Sequence, residues 1–151
     1  MGGIPAHDAS QAVYINTYQD SDGNKLLAEA EYVLTFDPNI PNAGFPPFDE
    51  KYHGFWSVTM YQSSDYDLVP GPKSYTINSY DPKYSLRKDD GSLTIYLQPH
   101  ELEKPEKGVY WLQTPPPSAG GFYLILRVYV PGPEVSYTQT WLPPPIKRVQ
   151  R

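Results

Sequence analysis

FYLILRVYV, residues 122–130, is the stretch on which the fold turns. Its apolar residues recur at every second position, whereas a helix would space them three and four apart. Successive side chains of a strand point to opposite faces, so Phe122, Leu124, Leu126 and Val128 share one side. Tyr123, Ile125, Arg127 and Tyr129 share the other. FWSVTMY (55–61) reads the same way, with Phe55, Ser57, Thr59 and Tyr61 opposite Trp56, Val58 and Met60. SLTIYL (92–97) and YVLTF (32–36) complete the set, each a strand with one buried face.

Shorter strands are predicted at 12–18, 74–77 (SYTI) and 109–112 (VYWL). Asp20-Ser21-Asp22-Gly23 and Lys88-Asp89-Asp90-Gly91 are turn signals, the second read as a hairpin turn into 92–97. KLLAEA (25–30) is the one helix-like piece; it is too short to stand alone and reads equally as the start of the strand ending at Phe36. Residues 37–50 form a proline-bearing loop, 99–108 a charged one, and PPPSAGG (115–121) a connection. The acidic-aromatic segment 63–67 is a link, and the segment after residue 130 is irregular, with Trp141 packed back on the sheet. The expected fold is all-β: an antiparallel β-sandwich, jelly-roll-like, with proline-rich loops. A closed barrel is the second choice. Residues 1–11 are an N-terminal arm, 12–149 a single domain and 150–151 a tail.

Composition narrows the function. The 151 residues include 18 prolines and 14 tyrosines but no cysteine, which removes disulfides, zinc–thiolate sites and thiol nucleophiles. A cysteine-free chain without a signal-peptide pattern favours the cytoplasm by a small margin. The net charge of −5 opposes nucleic-acid binding, and no run has the length of a membrane span. The only basic cluster, Lys147, Arg148 and Arg151, reads as a solvated end of the chain.

No cofactor signature is present: neither G-x-G-x-x-G nor G-x-x-x-x-G-K occurs. His7, His53 and His100 are isolated from one another, without the paired histidines of a cupin-type metal site, so no metal is expected. Asp65, Asp67, Asp89 and Asp90 lack the spacing of a calcium loop. Ser57 has no elbow or partner base.

Two candidate sites remain. His53, in FDEKYHGFW with Asp49 and Glu50 nearby, has the residue types of a proton carrier oriented by a carboxylate. Arg127 lies between Tyr123 and Tyr129 on one strand face; if the strand bearing Tyr96 and Thr94 pairs with it, a tyrosine patch surrounds one guanidinium. Such a patch holds a planar or anionic ligand by stacking and forked hydrogen bonds. Trp56 is a further candidate ligand contact, and Trp56, Trp111 and Trp141 are the candidate platform of a carbohydrate-binding module.

GFWSVTMY, DGSLTIYLQ, WLQTPPP, FYLILRVYVPGPE and WLPPPIKRV, in this order, resemble the C-terminal domain of a two-domain family. That domain is a domain of unknown function, number twelve-fourteen, which usually follows another, number twelve-fifty-four. The resemblance covers about residues 12–149 and implies a β-sandwich. Family members usually carry Asn-Arg where this chain has Lys73 and Ser74, and an asparagine where it has Tyr110. The family's usual companion domain is not in this sequence, so the resemblance implies either a separately folding single-domain member or a partner supplied by another chain; pairing with a second copy is a further expectation. Three functions are therefore open: a binding or assembly module, a cofactor-independent enzyme acting on a small organic molecule by proton transfer, and a carbohydrate-binding module.

Overall fold

The structure is a computed structural model and describes residues 12–41, 44–62, 67–68, 75–104, 106–132, 135 and 141–149. The arm 1–11 with His7, the tail 150–151, Asp65, Lys73 and Ser74 lie outside the described residues, as does most of the link 63–67.

Two sheets face each other. One holds β1 (Ala12–Thr17), β8 (Phe122–Tyr129) and β3 (Phe55–Gln62) in that order, and the far edge of β3 takes β4 (Asp67–Leu68) and then β5 (Thr76–Asn78). The other runs β7 (Val109–Gln113), β6 (Leu93–Gln98), β2 (Tyr32–Phe36), β9 (Ile146–Arg148). The sheets stay open at their edges, so the molecule is a sandwich and not a closed barrel. No helix among the described residues is long and apolar enough to cross a membrane.

The alternation in the sequence dictates the core. Trp56, Val58, Met60, Phe122, Leu124, Leu126 and Val128 from one sheet meet Tyr32, Leu34, Phe36, Leu93, Ile95, Leu97 and Leu112 from the other. Ring pairs cross the layer directly: Phe36 to Trp56 at 5.0 Å and Tyr32 to Phe122 at 5.6 Å. Burial of this apolar surface is the main force that holds the sheets together.

Four features depart from the sequence reading. KLLAEA makes no helix: Lys25 and Leu27 form bridges to Gln19 and Gly121, and Leu26, Ala28 and Ala30 are buried alternately. The C-terminal segment is not wholly irregular, because β9 pairs antiparallel with β2. Its Trp141 does pack back, buried, with the indole N–H donating to the Gly44 carbonyl at 2.9 Å. Lys88–Gly91 closes a tight turn, with the Lys88 N–H donating to the Ser92 carbonyl, but no strand precedes it to make a hairpin. Finally, β6 and β7 are parallel, the exception in an otherwise antiparallel structure. A parallel pair needs a crossover. The charged loop between them provides it, returning the chain to the start of β7 at Gly108.

Candidate functional site

Arg127 sits near the middle of the five-stranded sheet, on the face turned away from the core. Antiparallel register sets Tyr14 of β1 beside it on one side and Ser57 of β3 on the other. Its guanidinium donates to the Tyr61 hydroxyl at 2.9 Å and, at a long 3.4 Å, to Thr59 Oγ1. Thr59 in turn shares a hydrogen bond of 3.1 Å with Thr76 of β5. The Tyr14 ring lies 5.4 Å from the guanidinium carbon, within cation–π range. The Tyr61 ring is at 5.8 Å, near the limit of that range, so its hydroxyl hydrogen bond is the contact that counts.

Aromatic rings extend the site in both directions. Tyr61 stacks on Tyr123 at 5.4 Å, and Tyr123 on Tyr18 at 5.0 Å. On the other side Tyr129 stacks on Phe55 at 4.4 Å, and Tyr80 meets the edge of Phe55 at 4.9 Å. The result is a diagonal stripe from Tyr18 to Tyr80 with one cation in it. Beyond Tyr18 and Tyr123 the stripe opens into a cleft of about 400 Å³, bounded also by Lys25, Leu26, Leu27 and Phe122.

The electrostatics follow from this packing. Burial alone would lower the Arg127 pKa; the Tyr61 hydroxyl and the surrounding tyrosines outweigh it and hold the guanidinium above its usual value. Tyr129 is pushed up, first by burial and then by its hydrogen bond with Tyr14. Both groups keep their neutral-pH charge states. Among the described residues no carboxylate pairs with Arg127.

The stripe contains Arg127, Tyr123 and Tyr129 from the sequence reading, but not Tyr96. Tyr96 lies on β6 in the other sheet, between Val33 and Trp111, because β8 pairs with β1 and β3. Trp56 is also absent from it: at 1% exposure it points into the core, opposite in phase to Ser57 and Phe55. Sequence reasoning missed Tyr14, Tyr18, Tyr61 and Tyr80. The phase of Tyr61 within FWSVTMY was readable, but the pairing of β3 and β1 with β8 is a long-range fact that periodicity does not carry.

His53, Asp49 and Glu50 fall together on one exposed turn. Asp49 caps a 3₁₀ turn, its carboxylate accepting the Lys51 N–H at 3.0 Å, and the His53 N–H donates to the Glu50 carbonyl. His53 itself adopts the left-handed region at φ 62°. Gly54 follows, and a Cβ there would meet the carbonyls of Asp49 and Tyr129 at 2.7 and 2.8 Å. These residues thus build a tight corner that locks onto the end of β8. Among the described residues no hydrogen bond or ion pair joins the imidazole to Asp49 or Glu50. Trp111 and Trp141 are buried, the former with its indole N–H on the Gln98 carbonyl, so neither offers a face to a sugar. Tyr110 donates its hydroxyl to the Leu86 carbonyl at 3.0 Å, with its pKa raised chiefly by burial. No cluster of ligands able to hold a metal occurs among the described residues.

Solved structures share this architecture. The VPA0106 protein from Vibrio parahaemolyticus superposes with a TM-score of 0.68 at 23% identity, over 93% of this chain and 31% of that one. An uncharacterized protein from Burkholderia cenocepacia gives 0.52 at 16% identity, over 98% of this chain and 30% of its own. The chain thus spans less than a third of either. No curated protein matches it. Residues 11–133 match the model of the family described as "Protein of unknown function (DUF1214)", and the chain belongs to that family.

Proposed function

We propose that this domain is a binding module that docks a companion domain on the outer face of its five-stranded sheet. The observation that carries the reading is the exposure of three rings of the stripe, Tyr14 at 61%, Tyr18 at 46% and Tyr80 at 67%, beside the partly exposed Tyr61, Phe55 and Tyr129 and the buried Tyr123. Large aromatics that stand free on one face, around a cation, match the composition of interface cores, where tyrosine and arginine are enriched. The opposite outer face differs. There the crossover loop borders Tyr96 and Val109, and Trp111 is buried.

Both solved neighbours contain more than twice as much additional chain as they share with this one. That supports a companion domain as the occupant, in the same polypeptide or in trans. A second copy is less suited. A two-fold interface on this face sets the same patch against itself, so one Arg127 approaches the other. The proton-transfer reading gains less support, since His53 sits on an exposed corner whose Asp49 carboxylate caps the turn and, among the described residues, is not bonded to the imidazole.

Hydroxyl-radical footprinting of the chain inside its source cells, against the purified chain, tests the proposal. Tyr14, Tyr18 and Tyr80 should be protected in cells, with Tyr96 unchanged. Equal reactivity of the stripe in both settings rejects docking on this face.

A further inference from the structure

We infer that the partner docked on this face inserts an aspartate or glutamate carboxylate onto Arg127; the inference rests on the docking reading above. A guanidinium has five N–H donors in a planar fork suited to the two oxygens of a carboxylate. Arg127 uses one well, on Tyr61 at 2.9 Å, and a second poorly, on Thr59 at 3.4 Å. Both acceptors are neutral hydroxyls. Among the described residues the charge itself has no counter-ion, although the side chain is half-buried.

Arg87 is the instructive contrast. Among the described residues it too has no carboxylate partner, but its guanidinium lies 4.4 Å over the Phe45 ring and donates to the Tyr84 carbonyl at 2.6 Å. One of its nitrogens also reaches the Leu86 carbonyl at a long 3.4 Å, so backbone carbonyls and a close ring hold it where it closes a loop. Arg127 faces outward instead, from the middle of a sheet face, beneath a ring that is mostly in water. When a partner covers the stripe, water leaves and an unpaired cation there becomes costly. The carboxylate removes that cost and fixes the register of docking, since a like charge at the same point is repelled. The flanking tyrosines suit the flat, apolar surroundings of such an acid.

Acetate is the simplest probe. In an NMR titration of the folded chain, the Arg127 Nε–H resonance should shift saturably with acetate and not with chloride, while Arg87 and Arg148 show no such difference. If Arg127 responds no differently from Arg148, the inference fails. In cells, Arg127→Gln should abolish the protection of Tyr14, and Arg127→Lys should keep part of it. Protection that survives Arg127→Gln overturns the carboxylate contact and leaves docking standing. Absence of protection in the unmutated chain overturns both, and an acetate response without it points to a free carboxylate ligand instead. Should Arg127→Gln not fold, the acetate titration needs no substitution and decides the matter.

Discussion

At the scale of single residues, the same side-chain type does opposite work on the two faces of one strand pair. Trp56 and Phe55 are neighbours in sequence, yet one joins Phe36 and Phe45 in the core and the other joins Tyr129 and Tyr80 on the surface stripe. Trp56→Ala should therefore cost about 3–5 kcal/mol through lost burial and a cavity. Urea unfolding measures it, and a loss well under that range would mean the core collapses around the site. The phase of these residues was legible because period-two alternation is a local property. Tyr96 was misplaced for the complementary reason. Its phase was right for a sheet face, but nothing local says which sheet a strand enters.

At the scale of elements, the long alternating strands were readable and the connections were not. β2, β3, β6 and β8 lie within a residue of the sequence expectation. β9 was hidden by its length, three residues after a proline run, and its strand character comes from β2 beside it. The crossover was read as a plain charged loop because its consequence, a parallel β6–β7 pair, is set by where the chain returns. Gly108 marks that return. Its φ is +76°, and a Cβ there would stand 2.3 Å from the Lys88 nitrogen. Gly108→Ala should destabilise by more than about 2 kcal/mol, from backbone strain and this contact together. A melting temperature equal to the unmutated protein's would contradict that geometry. The turn before β6 makes a pH prediction. Asp90 accepts the Ser92 hydroxyl at 2.7 Å and the Ser92 N–H at 2.9 Å, and the hydroxyl bond first, then the amide, lowers its pKa. A depressed folded pKa favours the folded state above the ordinary carboxylate value of about 3.9, and this is lost as pH falls through the folded value. The Asp90 carboxyl should titrate lower in the folded chain than in urea, and Ser92→Ala should raise its midpoint. Identical midpoints in both states would rule the turn bond out.

At the scale of the whole molecule, the sandwich has two outer faces with different fates. One is bordered by its own crossover and hides its tryptophan; the other leaves three aromatic rings exposed beside a half-buried cation. Composition alone reported many tyrosines, and only strand pairing gathers Tyr14, Tyr61 and Tyr129 around Arg127, with Tyr123 stacked on Tyr61. The docking claim is tested most directly by placing a photo-crosslinking amino acid at Tyr14 or, separately, at Tyr96, and irradiating the source cells. Docking on this face predicts one discrete adduct from position 14, whose joined peptide comes from a companion domain and contains an acidic residue, and no such adduct from position 96. Adducts from both positions alike, or none from position 14, would contradict it.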